Sequence, residues 1–145
     1  MGYYRMRKSF KIVSMIIIVI MSVLVWIWPY IKMEFSGSAN YTEQDVREYE
    51  FYTPDILKKM PRISPRYNFD FANITGQASQ VYAIKYYDTD NSGEIDAYLI
   101  SLGYKKQKDC HIEAVCWIGN EPQQMVTVST LENPKVLLVS VIYNF

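Results

Sequence analysis

The chain has 145 residues, with fifteen Lys and Arg against fifteen Asp and Glu, so its formal charge is zero. That balance offers no clustered basic face of the kind that displaces counterions from a nucleic acid, and the length leaves room for one small domain beyond a membrane segment, not two. One histidine and two cysteines are few groups for proton transfer or nucleophilic attack near neutral pH.

Residues 1–11 carry Arg5, Arg7, Lys8 and Lys11 and read as a basic N-terminus facing the cytoplasm. From Ile12 to Trp28 no residue is charged. At ~1.5 Å per residue this run makes a helix of roughly 26 Å, close to the ~30 Å hydrocarbon core of a bilayer once Phe10, Tyr30 and Ile31 flank it. Residues 12–31 therefore read as a single-pass signal anchor. The basic excess before it, against only Lys32 and Glu34 between Pro29 and Phe35, predicts that the N-terminus stays inside and the remainder lies outside. Trp26, Trp28 and Tyr30 fall where amphipathic rings meet the outer headgroups. A cleaved signal is disfavoured, because the small residues Gly37-Ser38-Ala39 lie well beyond the apolar run.

Residues 32–41 read as a stalk and 42–145 as an exported domain. Setting aside Arg5, Arg7, Lys8 and Lys11 leaves eleven basic against fifteen acidic residues beyond the membrane, a balance of −4. Thr42-Glu43-Gln44-Asp45 predicts a short helix through Tyr49 with Thr42 as cap, and Thr53-Pro54-Asp55 predicts another with Thr53 as cap, stopped at Met60-Pro61. Tyr67, Phe69 and Phe71 alternate with Asn68, Asp70 and Ala72, and Gln80 to Tyr87 continues in the same period, so two strands are expected around Thr75-Gly76. From Gly93 the period lengthens: Ile95, Tyr98, Leu99 and Leu102 form a helical stripe that ends at Gly103. Three further strands are expected, at Asp109 to Ile118, Gln124 to Thr130 and Lys135 to Tyr143, with Tyr143 and Phe145 docking the chain end. The class is α+β: a transmembrane helix, then a small domain with an antiparallel sheet and one main packed helix.

Cys110 and Cys116 lie on the outer side, where oxidation joins thiols. In one straight strand their Cα atoms would stand about 20 Å apart, whereas a disulfide needs roughly 4.4 to 6.8 Å, so a turn near Glu113 and Ala114 is predicted. Cys110, His111 and Cys116 make a poor metal set, since neighbours on a strand point to opposite faces and a fourth ligand is missing.

Asp88-Thr89-Asp90-Asn91-Ser92-Gly93-Glu94-Ile95-Asp96 resembles the calcium loop of the EF-hand family over about nine residues, with Asp88, Asp90, Ser92, Glu94 and Asp96 as the implied ligand set. The position that supplies the bidentate glutamate in that family is Leu99 here, and the preceding element reads as a strand. The loop is therefore expected to be a strand-to-helix turn capped by Asn91 or Ser92, without a resident metal or cofactor.

Thirteen tyrosines, six phenylalanines and three tryptophans exceed what a core of this size requires, and Tyr86, Tyr87, Tyr104 and Trp117, at element ends beside polar turns, are the candidate partner contacts. A tether, an acidic outer part and few catalytic groups point to a non-enzymatic protein-binding domain at a membrane surface. In layout the chain is similar to small membrane-anchored periplasmic immunity proteins that neutralise toxins. An envelope assembly or transport accessory factor is the alternative, and a weak calcium-binding module a third.

Overall fold

The computed structural model describes residues 2–110 and 112–145, with side chains described from Lys8 onward. It divides into two compact units, Met1–Ser36 and Gly37–Phe145. The first is one helix, α1 (Gly2–Glu34), in which Lys8–Glu34 is long and apolar enough to cross a membrane. Its Ile and Val side chains from Ile12 to Ile27 are exposed, as lipid contact would require, and the Ser22 hydroxyl is satisfied internally by donating to Ile18 O at 2.8 Å.

The second unit is an α+β domain. In chain order it comprises β1 (Ser38–Tyr41), α2 (Val46–Tyr52), α3 (Asp55–Lys58), β2 (Tyr67–Ile74), β3 (Ser79–Tyr87), α4 (Gly93–Ser101), β4 (Lys105–Lys106), β5 (Val115–Ile118), β6 (Gln124–Glu132) and β7 (Lys135–Asn144). All seven strands form one sheet in the order β1-β2-β3-β7-β6-β5-β4, and every neighbouring pair is antiparallel.

Alternation decides which side chains share a face. Register places Tyr41, Phe69, Ile84, Val139, Val128 and Val115 in one row, and Phe71, Tyr82, Val141, Val126 and Trp117 in the next. The helices pack on this face. Tyr52 of α2 stacks on Phe71 with ring centres 4.6 Å apart, Tyr49 meets Phe69 edge-on at 5.2 Å, and Leu57, Ile95 and Leu99 are fully buried. The phenol of Tyr98 ties α4 to α3 by donating to Ile56 O at 2.9 Å. The other face carries Val81, Ile142 and Met125 in one row and Ala83, Ser140, Thr127 and Cys116 in the next.

The sheet has two ends. At one, Asn73 N–H donates to Gly37 O, Phe145 N–H to Ala78 O and Asn144 N–H to Gln123 O, which gathers the start of β1, the β2–β3 turn and the close of β7. At the other, Tyr87 N–H donates to Arg66 O and Asp88 N–H to Lys135 O, beside the β6–β7 turn at Asn133-Pro134.

Several expectations change. Ser38–Tyr41, assigned to the stalk, is an edge strand, because each of its four residues pairs with β2. α2 begins at Val46 instead of Thr42: Asp45 accepts from both the backbone N–H (2.8 Å) and hydroxyl (2.9 Å) of Thr42, closing a turn that holds those residues outside the helix. Thr53 does not cap α3; its hydroxyl donates instead to Tyr41 Oη at 3.1 Å, and Pro54 is the N-cap. Leu102 is the exposed C-cap of α4, and Gly103 takes φ +87°, the left-handed conformation that stops a helix. β5 is four residues long, since the disulfide loop takes the rest of the expected strand, and the two-residue β4 carried no periodic signal. Phe145 docks through its backbone while its ring is exposed.

Candidate functional site

An open cleft of about 540 Å³ lies at the Arg66 end of the sheet, lined by Thr42, Glu43, Gln44, Pro65, Arg66, Tyr67, Tyr87 and Pro134. Four separate segments meet there because β1, β2, β3 and the β6–β7 turn all reach this end of the sheet.

One wall is rigid. Tyr67 Oη donates to Glu43 Oε2 at 3.0 Å, and Glu43 Oε1 receives Arg62 Nε at 2.9 Å and Nη2 at 2.7 Å. Arg62 also donates Nη1 to Leu57 O (3.0 Å) and Met60 O (2.7 Å), and its guanidinium lies over the Tyr67 and Phe69 rings at 5.3 and 5.4 Å. One side chain thus satisfies the carbonyls at the close of α3, holds Glu43 and braces two aromatic rings. Burial opposes the charge on Arg62, but the hydrogen bonds and field of Glu43 outweigh it and its pKa stands above the usual value. Burial, reinforced by Glu43, pushes the Tyr67 phenol up as well.

The other wall is open to solvent. Arg66 lies 5.4 Å over the Tyr87 ring and pairs with Asp88 at 2.9 Å. Tyr87 Oη donates to Asn68 Oδ1 at 3.1 Å. Asp88 has φ +61°, a left-handed turn that aspartate tolerates and that sets its carboxylate beside Arg66. The cleft can present an aromatic face, a stacked guanidinium and a carboxylate rim, a set suited to holding a polar peptide segment.

Three of the four acids of the calcium-like loop are met by a cation from another element. Besides Asp88, Asp90 pairs with Lys135 at 2.9 Å, and Asp96 lies 4.0 Å from Lys106 and accepts from Ser92 Oγ at 3.5 Å. The hydrogen bond from Lys135 holds the Asp90 carboxyl below its ordinary range, and Asp90 raises Lys135 in return. Glu94 is exposed on α4, Leu99 is core, and among the described residues no three His, Cys, Asp or Glu side chains converge on a metal position. Asn91 Oδ1 accepts from Gly93 N–H at 3.0 Å, so Asn91 orders the turn while Ser92 occupies the N-cap without a side-chain bond to a backbone N–H of the first turn.

Cys110 and Cys116 are joined, with Cα atoms 5.9 Å apart, and the predicted turn is present: Ala114 N–H donates to Ile112 O at 2.7 Å. His111 lies outside the described residues, and with it the Cys–His set that the sequence disfavours.

Of the four aromatic candidates, two are core. Tyr86 is fully buried and donates to Pro61 O at 2.7 Å. Trp117 is buried, with Lys106 Nζ 5.8 Å from its ring centre, its indole N–H without a partner among the described residues. Both point to the helix-covered face, so their position near element ends does not expose them. Tyr104 is half-buried at the opposite end from the cleft, donating to Gln124 Oε1 at 2.8 Å, and its ring approaches Gly119 so closely that a Cβ there would lie 3.0 Å away. Tyr87 alone lines the cleft. Sequence reasoning missed Glu43, Arg66, Tyr67 and Pro134, which only strand register brings together. The chain matches no protein-family model, no curated protein and no solved structure, so the cleft's own geometry has to carry the functional reading.

Proposed function

We propose that residues 37–145 are a non-enzymatic binding domain held outside the cytoplasm by α1, with the N-terminus inside, and that the domain grips a protein partner through the Arg66–Tyr87 cleft, in the manner of an immunity protein neutralising a toxin. The observation that carries this reading is the state of the cleft's charges. Arg62 and Arg66 each pair with a carboxylate and lie over the Tyr67 and Tyr87 rings, which gives a partner fixed charge beside aromatic surface. The joined cysteines support an oxidising compartment, and the basic residues before α1 support the orientation.

A photo-crosslinking residue replacing Gln44 in the full chain tests the binding surface. A protein adduct that disappears in Arg66→Ala supports the cleft, and production of the chain should protect cells against the captured partner if that partner is a toxin. Adducts that form equally from Leu131 and survive Arg66→Ala would remove the cleft from the account. A reporter fused after Phe145 checks the orientation: activity confined to the cytoplasm reverses it.

A further inference from the structure

The face of the sheet opposite the helices has its own relief. Val81, Ile142, Met125 and Ile118 make one ridge across β3, β7, β6 and β5. The next row along the strands is low, since Ala83, Ser140, Thr127 and Cys116 are small and none is more than 7% exposed. Beyond it apolar side chains return: Val136 pairs with Leu131, which is 51% exposed, and Ile118 at the end of the first ridge is 40% exposed. Charge on this face stands toward its margins. Asp70 of β2 pairs with Lys85 and accepts from Asn40 on one side, and Lys105 of β4 lies on the other.

Strands β2 to β4 are separated by five spacings of ~4.8 Å and the rows from Val81 to Tyr87 cover roughly 20 Å, so the face measures about 24 by 20 Å. Two such faces laid together cover about 1,000 Å², the area that a specific interface has to clear. A covering surface has to supply apolar contact over the ridge, polar contact over the Ser140 and Thr127 hydroxyls, and opposite charge at the margins. The face meets these needs itself. Turned about a twofold axis that runs along the strands between β7 and β6, each copy sets its β7 over β6 of the other, its β3 over β5 and its β2 over β4. Ile142 then meets Met125, Val81 meets Ile118 and Val136 meets Leu131. Ser140 meets Thr127 across the ~10 Å spacing of stacked sheets, where water bridges the two hydroxyls. Asp70 comes within one residue row, about 7 Å, of Lys105, a gap that a lysine side chain spans. An axis across the strands would instead lay Ile142 on the Ser140 hydroxyl and shut water from it.

We propose that this face of the sheet is an isologous contact between two copies of the domain, with β7 of each lying on β6 of the other. The contact does not depend on the cleft being a binding site. An axis along the strands keeps both copies pointing the same way, so the two Arg66–Tyr87 clefts open at the same end of the pair and offer a partner two sites held close together.

The full chain, mixed from ¹⁵N-labelled and unlabelled copies in micelles, can carry a photo-crosslinking benzoylphenylalanine in place of Val81. Irradiation should join position 81 of one copy to Ile118 or Met125 of the other, read by mass spectrometry as peptides that combine a labelled and an unlabelled half. The same probe in place of Ile100, exposed on α4, should give several-fold less covalent dimer. Equal yields from the two positions, or mixed peptides from Val81 that end outside β5 and β6, would overturn the proposal. Copies that crosslink from Val19 in α1 and not from Val81 meet through the anchor alone, and this also refutes the sheet contact. Lys105 is exposed on its edge strand, so Lys105→Asp leaves the fold intact; it should lower the Val81 yield several-fold by setting like charges together, and Asp70→Lys in the same chain should restore it. A yield that Lys105→Asp leaves unchanged would refute the twofold arrangement.

Discussion

Arg62→Ala tests how the helices are fastened to the sheet. Arg62 and Glu43 are paired at 2.7 Å with side chains 23% and 34% exposed, so the pair is partly desolvated. Breaking a fully buried pair costs about 3–5 kcal/mol because a charge is left behind, and exposure at this level reduces that to roughly 2–4 kcal/mol. The figure includes the lost donations to Leu57 O and Met60 O and the stacking on Tyr67 and Phe69. For a domain of this size each kcal/mol moves the midpoint by ~4–8 °C, so the thermal unfolding midpoint of the full chain in micelles, followed by circular dichroism of the sheet, should fall by about 8–32 °C. Lys59→Ala is the control, since its 4.0 Å contact with Asp55 is exposed at both partners and its loss should change stability by no more than about 0.5 kcal/mol. If Arg62→Ala costs no more than Lys59→Ala, the network is incidental and the wall of the cleft is held by packing alone.

Mass mapping without reductant should find both thiols of Cys110 and Cys116 blocked, and Cys110→Ser should cost about 2 kcal/mol of loop-closure entropy while leaving the domain folded; free thiols in envelope material would contradict this. Calorimetry with 1 mM calcium should show no heat of binding, because Arg66 and Lys135 already occupy Asp88 and Asp90; micromolar affinity would make the loop a calcium site. Burial raises the Tyr41 and Tyr86 phenols to about 12 from the ordinary 10.0. Unfolded tyrosines ionise first, so the stability these two contribute is complete below pH 10 and declines as pH climbs from 10 toward 12, by up to ~1.4 kcal/mol per pH unit for each. Urea midpoints for the parent and Tyr86→Phe at pH 9 and pH 11 check it: the variant should lose less on going to pH 11, and identical losses would refute the burial argument.

What could be read from the sequence is what repeats with a short period. The alternation in Tyr67–Phe71 and Gln80–Tyr87, the stripe of Ile95 and Leu99, and the unbroken apolar run of α1 each report a local geometry, and each element formed. Caps were less legible, because Thr42 and Thr53 are good N-cap residues whose hydroxyls found other partners, Asp45 and Tyr41. The cleft was illegible for a different reason. Glu43, Arg66, Tyr87 and Pro134 are adjacent only because β3 pairs with both β2 and β7, and no local pattern encodes which strands become neighbours. Nor could position near a turn separate Tyr86 from Tyr87: consecutive strand residues face opposite ways, and the helices cover only one side.

The position of β7 bears on when the domain can assemble. Among the described strands it comes last in chain order, yet it sits at the middle of the sheet, bonded to β3 on one side and β6 on the other. Until β7 has formed, β1–β2–β3 is a separate ribbon with an unpaired edge, and the half containing Trp117 has no template to close against. Pairings so distant in sequence form slowly. The two halves of the sheet therefore close on one another only when β7 joins β3 to β6.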